Sequence, residues 1–297
     1  MSHIHDTNQV SLTKLLFTFF LNLIITAAQI VGGIVSGSLA LISDAIHNLS
    51  DSVSVFLAWF AQVLSRKPST LKSTFGYKRA EILAAFINSI ALITISVYLI
   101  YEAVKRLLYP QPVDAKWMFW LGLLGLVANG ISVLILEREK NKNINIKAAY
   151  LHLMGDALTS LAVIVGAVLI WLFNVIWIDA VVTILIGFYL LLHTWKLLKE
   201  SVTILMQMTP VDLSIPEIEH SLSQIDGLKN IHHIHVWNLT DKLLHFECHL
   251  NLEEDLLVSE TKVICDKARK ILHDKFDIEH VTIHFEFGGK DLKGCEC

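Results

Sequence analysis

With 54% hydrophobic and only 18% charged residues, this 297-residue chain is more apolar than a soluble protein of its length should be. Its mean hydropathy of +0.54 indicates a membrane protein, and a net charge of −4 gives no basis for nucleic-acid binding. The charges are divided unevenly: up to Met208 there are 15 Lys+Arg against 11 Asp+Glu, whereas the remainder has 9 against 17 and holds 9 of the 14 histidines.

In chain order, six apolar segments reach spanning length: about Leu12–Val35, Leu39–Leu64, Ala80–Leu108, Lys116–Leu136, Ile146–Phe173 and Trp177–Leu198. A short tail, residues 1–11, precedes them; no cleavable signal peptide is expected, and His3 and His5 read as a frayed terminus. The connections at Ser36-Gly37-Ser38 and Asn174-Val175-Ile176 are uncharged. By contrast, Ser65–Arg79 carries Arg66, Lys67, Lys72, Lys78 and Arg79, and the next such connection carries Arg138, Lys140, Lys142 and Lys147. The positive-inside rule puts both basic loops, and hence both termini, in the cytoplasm. Lys105, Arg106 and Lys116 oppose this but are fewer.

After Thr209-Pro210 the pattern becomes that of a small soluble α+β domain, residues 209–297, following a membrane domain of residues 12–208. Ser214-Ile215-Pro216-Glu217 reads as a capping box for a helix that stops at Gly227. Alternating runs at Ile231–Leu239 and Leu243–Leu252 form a hairpin around Thr240-Asp241-Lys242. A helix over Ser259–Lys275 and a strand over His280–Phe287 complete the order αββαβ. Phe246, Cys248 and Leu250 share one face with Val281, Ile283, Phe285 and Phe287 as their counterparts; the other face carries His245, Glu247, His249, His280, His284 and Glu286. The four cysteines, Cys248, Cys265, Cys295 and Cys297, lack the spacing of a disulfide framework, so a reducing compartment is expected.

Two spans contain ionisable pairs. His47/Asp51 and His152/Asp156 repeat one His-x-x-x-Asp spacing in the second and fifth segments. An Asp at mid-membrane costs roughly 2.5–3.5 kcal/mol, so each carboxylate must be paired, hydrated or neutralised by a cation. The spacing puts His and Asp on one helix face, and two such helices packed together supply two imidazole nitrogens and two carboxylate oxygens, a tetrahedral set suited to Zn²⁺. A single such group could be a helix–helix hydrogen bond; the repetition argues for a shared metal site. Asn22, Asn88 and Asn129 read instead as helix contacts or pathway lining, and Gly32, Gly33, Gly37, Gly122, Gly125 and Gly130 as places of close helix approach.

These segments, with Phe75-Gly76-Tyr77-Lys78-Arg79-Ala80-Glu81, Asn145–Ser160 and the hinge-like Leu205-Met206-Gln207-Met208-Thr209-Pro210, resemble the cation diffusion facilitator family of zinc-transporting antiporters, most closely its bacterial zinc, cadmium and cobalt efflux members. The resemblance implies a homodimer in the bacterial inner membrane, a transport site of His47, Asp51, His152 and Asp156 in each protomer, and a metallochaperone-like cytoplasmic domain. It also matches His232, His249, His284 and Glu286 to cytoplasmic ligand positions, Glu286 standing where Asp is common. A family histidine is replaced by Thr261, and Thr70 and Tyr77 stand where some members have a loop metal site, so none is expected there. Cys295 and Cys297 either add thiolates to the cytoplasmic site or form an idle tail; His233, His235, His245 and His280 read as solvated strand residues.

Two Asp and two neutral His balance a divalent cation, whereas the empty set leaves two carboxylates in a poorly polarisable interior. Protons and metal therefore compete for the same groups, which is the basis of antiport. Imidazole favours Zn²⁺, Cd²⁺ and Co²⁺ over Mg²⁺ or Mn²⁺. An intramembrane metalloenzyme would need an open coordination position, and His-Glu-x-x-His is absent. A membrane metal sensor signalling through the cytoplasmic domain is the alternative to a secondary transporter.

Overall fold

The computed structural model describes residues 12–65, 67–137 and 144–288. Six long helices come first: α1 (Leu12–Ser36), α2 (Leu39–Ser65), α3 (Ala80–Leu108), α4 (Ala115–Glu137), α5 (Ile144–Phe173) and α6 (Trp177–Leu205). Then follow α7 (Ile215–Leu222), β1 (Leu228–Asn238), β2 (Leu244–Leu252), α8 (Val258–Phe276) and β3 (His280–Phe287). Four segments among the described residues are long and apolar enough to cross a membrane: Ala80–Leu108, Ala115–Leu134, Tyr150–Phe173 and Trp177–Leu205. The α2 helix, carrying Asp44, His47, Asn48 and Asp51, is not among them. Helix α6 runs past the expected Leu198 to Leu205, because Lys199, Glu200 and Ser201 end the apolar run without breaking the helix.

The chain divides into two compact units, Met1–Leu57 with Ile87–Lys196, and Ala58–Phe86 with Leu197–Cys297. In the first, Leu41, Met118, Val163, Ala167, Ile186 and Leu190 form a buried apolar layer. Large apolar side chains such as Ile34, Trp120, Leu172 and Leu192 remain exposed, as lipid-facing positions require. Gly32 and Gly125 permit close approach: a Cβ on Gly32 would run into Leu121 of α4, and one on Gly125 into the Gln29 amide of α1. Gly130, by contrast, has open space beside it and answers to no such contact.

A long-range anchor fixes the start of α2. Ser38 caps the helix, its Oγ accepting from the Leu41 N–H at 3.1 Å. The Asp179 carboxylate of α6 then accepts from Ser38 Oγ at 2.6 Å and from the Leu39 and Ala40 N–H groups at 2.9 and 3.2 Å. A carboxylate here satisfies otherwise orphaned donors and complements the positive end of the helix. Arg106 donates to the Gly37 carbonyl alongside. Asp179→Ala is expected to lower stability by about 1–3 kcal/mol by leaving these buried donors unpaired. Thermal unfolding of the detergent-solubilised protein checks this; a melting curve equal to wild type would show that the anchor carries no weight.

In the second unit one sheet has the order β1-β2-β3, with β1 and β2 antiparallel and β2 and β3 parallel. Ile218, Leu222, Ile234, Phe246, Leu250 and Leu272 pack into its core. The expected capping box at Ser214 does not form: its side chain makes no cap hydrogen bond, and its carbonyl accepts from the Glu217 and Ile218 N–H groups. Pro216 removes one N–H that a cap would serve. The helix ends at Leu222, earlier than Gly227, which instead takes a turn with φ +88°. At α8 the Glu260 carboxylate accepts from the Leu257 N–H at 2.8 Å, the half of a capping box that a leucine at the cap can provide. The hairpin turn is closed by Thr240 Oγ1, which accepts from the Lys242 and Leu243 N–H groups.

Strict alternation fails in two places. His232 pairs with His249 but His235 pairs with Glu247, so β1 holds one extra residue, with His233 in the left-handed region at φ 51°. This bulge shifts the buried set from Ile231 to Ile234 and Val236 and also buries His232. Phe287, expected on the apolar face, is exposed because the strand ends there.

Candidate metal centre

Helices α2 and α5 bring the two pairs together. His47 lies between the acids, Nε2 2.8 Å from Asp156 Oδ1 and Nδ1 3.7 Å from Asp51 Oδ2. His152 Nε2 is 3.4 Å from Asp51 Oδ2 and 3.8 Å from Asp156 Oδ2. Ligand atoms of His47, Asp51 and Asp156 all fall within 4.8 Å of one another. His152 stands just outside that set, its ring edge-on to His47 at 5.9 Å. His47 and Asp156 are buried, while the side chains of Asp51 and His152 are 32% and 37% exposed, so the cluster has a closed side and an open one. His47 Nδ1 and Asp51 Oδ2 are buried without a hydrogen-bond partner among the described residues. Lone-pair donors that converge at this spacing without satisfying one another by hydrogen bonds are what a divalent cation requires.

Several neighbours went unassigned at the level of sequence. Asp44, one helical turn before His47, is fully buried and accepts from Thr159 Oγ1 at 2.8 Å, Ser160 Oγ at 2.9 Å and Gln29 Nε2 at 3.3 Å. It ties α1 and α5 to α2 and thereby sets the height at which the two His-x-x-x-Asp pairs meet. From α6, Tyr189 lies edge-on to His47 at 6.2 Å, and His193 stacks on His152 at 6.3 Å. A Cβ on Gly155 would approach the Tyr189 hydroxyl to 2.6 Å, so the glycine leaves room for that ring. The polar Ser43–Asp51 stretch was the available signal for Asp44; nothing local marks Tyr189 or His193. Asn88 donates to Ser50 and Ser54 on α2 at 3.1 and 2.8 Å, a helix–helix contact, and Asn129 is buried.

On the sheet, His232 Nε2 and His249 Nδ1 lie 3.3 and 2.8 Å from the two oxygens of Glu286, and their ligand atoms form a second group within 4.8 Å. His284, expected in this set, lies outside the group: it is exposed and pairs in register with His249, their rings edge-on at 4.6 Å. Cys295, Cys297, His3, His5, Arg66, Arg138, Lys140 and Lys142 lie outside the described residues. Cys248 is buried in the core, and burial, with Cys265 nearby, pushes its thiol up to about 12, so it supplies no thiolate. His245 stacks between Trp237 and His280. Burial first, then His280, Lys78 and Arg79, hold its pKa below the ordinary imidazole value, favouring the neutral ring. It is thus a half-exposed strand residue whose ring makes aromatic contacts.

Apolar helices of spanning length around a buried His/Asp cluster are the anatomy of a multi-pass membrane protein that handles divalent metal cations. Residues 15–206 match the model of the cation efflux transmembrane domain, and residues 210–287 that of the cation efflux protein cytoplasmic domain. The chain belongs to the cation diffusion facilitator family of metal-cation transporters. It is 39% identical over 259 residues to the metal cation efflux system protein CzcD of Cupriavidus metallidurans, covering 87% of this chain and 81% of that one. The cadmium, cobalt and zinc/H(+)-K(+) antiporter of Bacillus velezensis is 38% identical, covering 96% and 92%. The zinc transporter ZitB of Escherichia coli is 36% identical, covering 96% and 90%.

Proposed function

We propose that the protein exports Zn²⁺, and also Cd²⁺ and Co²⁺, by exchange for protons at an intramembrane site of His47, Asp51, His152 and Asp156. The observation that carries this reading is the convergence of those four side chains from α2 and α5, with His47 Nδ1 and Asp51 Oδ2 buried and without a hydrogen bond among the described residues. The same atoms stand close enough to share protons when metal is absent, so loading with one cargo releases the other. The name of the Bacillus relative, which includes H⁺ as an exchanged ion, supports the coupling.

In this reading α1–α6 all span the bilayer, with α2 tolerating its charges because they face the bundle interior. Residues 12–208 form the transmembrane domain and 209–297 the cytoplasmic domain; both termini are cytoplasmic, and the protein is a homodimer of the bacterial inner membrane. The family model for residues 210–287 supports dimerisation through the cytoplasmic domain. The cluster of His232, His249 and Glu286, with His284, Cys295 and Cys297 as further donors, binds cytoplasmic metal and regulates transport.

Reconstituted into proteoliposomes with an acidic interior, the protein is expected to drive zinc uptake that a protonophore collapses. Zinc binding without pH-driven flux would instead identify a membrane metal sensor.

A further inference from the structure

A third cluster of metal-capable side chains lies outside both sites, and it depends on the bulge in β1. His233, His235 and Glu247 bring one ligand atom each to within 4.8 Å of one another. His235 and Glu247 face each other in register across the β1–β2 pair, which sets their side chains side by side. His233 joins them because the extra residue puts it in the left-handed region, with its ring edge-on to that of His235 at 4.6 Å. All three are half-buried. A tetrahedral zinc holds ligand atoms about 3.3–3.5 Å apart, so rotamer adjustment alone closes this set around an ion.

We propose that His233, His235 and Glu247 form a further metal site on the cytoplasmic domain, taking a zinc-type divalent cation with water as the fourth ligand. Two imidazoles and one carboxylate form a borderline donor set that selects Zn²⁺ or Co²⁺ over Mg²⁺ and Ca²⁺. Entry is open: His235 and Glu247 line a cavity of about 480 Å³ whose wall includes Met206, Gln207 and Thr209, the residues through which the chain leaves α6. The site also adjoins the His232/His249/Glu286 cluster, since the His233 ring stacks on His249 at 4.5 Å. The sheet thus holds two neighbouring donor sets in the described residues, the second built by an insertion in the strand.

The test is Co²⁺ titration of the purified full-length protein, reading bound metal per protomer by equilibrium dialysis and ligand geometry by visible absorption. Glu247→Gln keeps side-chain size and removes the charge; His235→Ala removes an imidazole; His232→Ala reports on the neighbouring cluster, and Asp156→Ala on the transport site. Glu247→Gln and His235→Ala are each expected to lose one Co²⁺ per protomer, and His232→Ala and Asp156→Ala to lose only the cobalt of their own sites, so that Glu247→Gln combined with Asp156→Ala loses two, with circular dichroism verifying folding in every case. Unchanged stoichiometry and spectrum in Glu247→Gln and His235→Ala would overturn the site whatever becomes of transport. Loss of cobalt in Asp156→Ala alone would leave the transport reading standing and refute this one.

Discussion

Replacing Asp156 by alanine is expected to abolish zinc-for-proton exchange, by at least about 100-fold given that losing even a supporting group around a metal costs 10–100-fold in affinity. Asp156 is the more buried of the two acids and makes the shortest contact in the cluster, 2.8 Å to His47. Its loss removes a ligand, half of the charge that balances a divalent cation, and a proton-binding group, so both half-reactions fail together. The fold should survive, because Asp44, Thr159 and Ser160 hold α2 to α5 independently one turn away. Asp51→Ala is expected to act similarly on flux and less on stability, its side chain being partly exposed. Flux from purified variants in proteoliposomes, alongside melting curves, separates the two effects. Undiminished flux in Asp156→Ala would remove this residue from the transport site.

His47→Asp should change what is carried more than whether anything is carried. The imidazole sits between both acids and is 2% exposed, so an aspartate there converts the donor set from two nitrogens and two oxygens to one nitrogen and three oxygens. Oxygen donors suit harder ions, and the preference for zinc over manganese is expected to fall about tenfold, equivalent to about 1.4 kcal/mol. The third carboxylate also binds protons, so transport should decline more steeply as cytoplasmic pH falls, protons and metal competing for one more group. The smaller side chain leaves space beside Tyr189, which water can fill on the open side of the cluster. Metal ranking and pH profile measured together give the test. If neither moves, His47 does not touch the ion.

Much of this was legible in the chain because it is local. The repeated His-x-x-x-Asp spacing identifies a shared helix face, and the apolar runs locate α3 and α5 to within a residue or two of where they lie. The phase of β2 follows from Phe246, Cys248 and Leu250, all buried as alternation requires. Local rules broke where a neighbour was decisive. The Ser214 side chain makes no cap bond, and an added residue at His233 breaks the alternation of β1 and buries His232.

The sequence by itself therefore determined the kind of protein and its chief candidate metal ligands, since helix period, strand period and charge in lipid are properties of a few adjacent side chains. Only the tertiary structure decided how those residues meet: that Asp44 sits on hydroxyls of α5, that Asp179 caps a helix 140 positions earlier, and that Tyr189 and His193 of α6 line the cluster. It also decided that His233, His235 and Glu247 form one group and that His284 stands outside its neighbour's. Such contacts join residues far apart in the chain, and no periodicity within one segment encodes the packing between two.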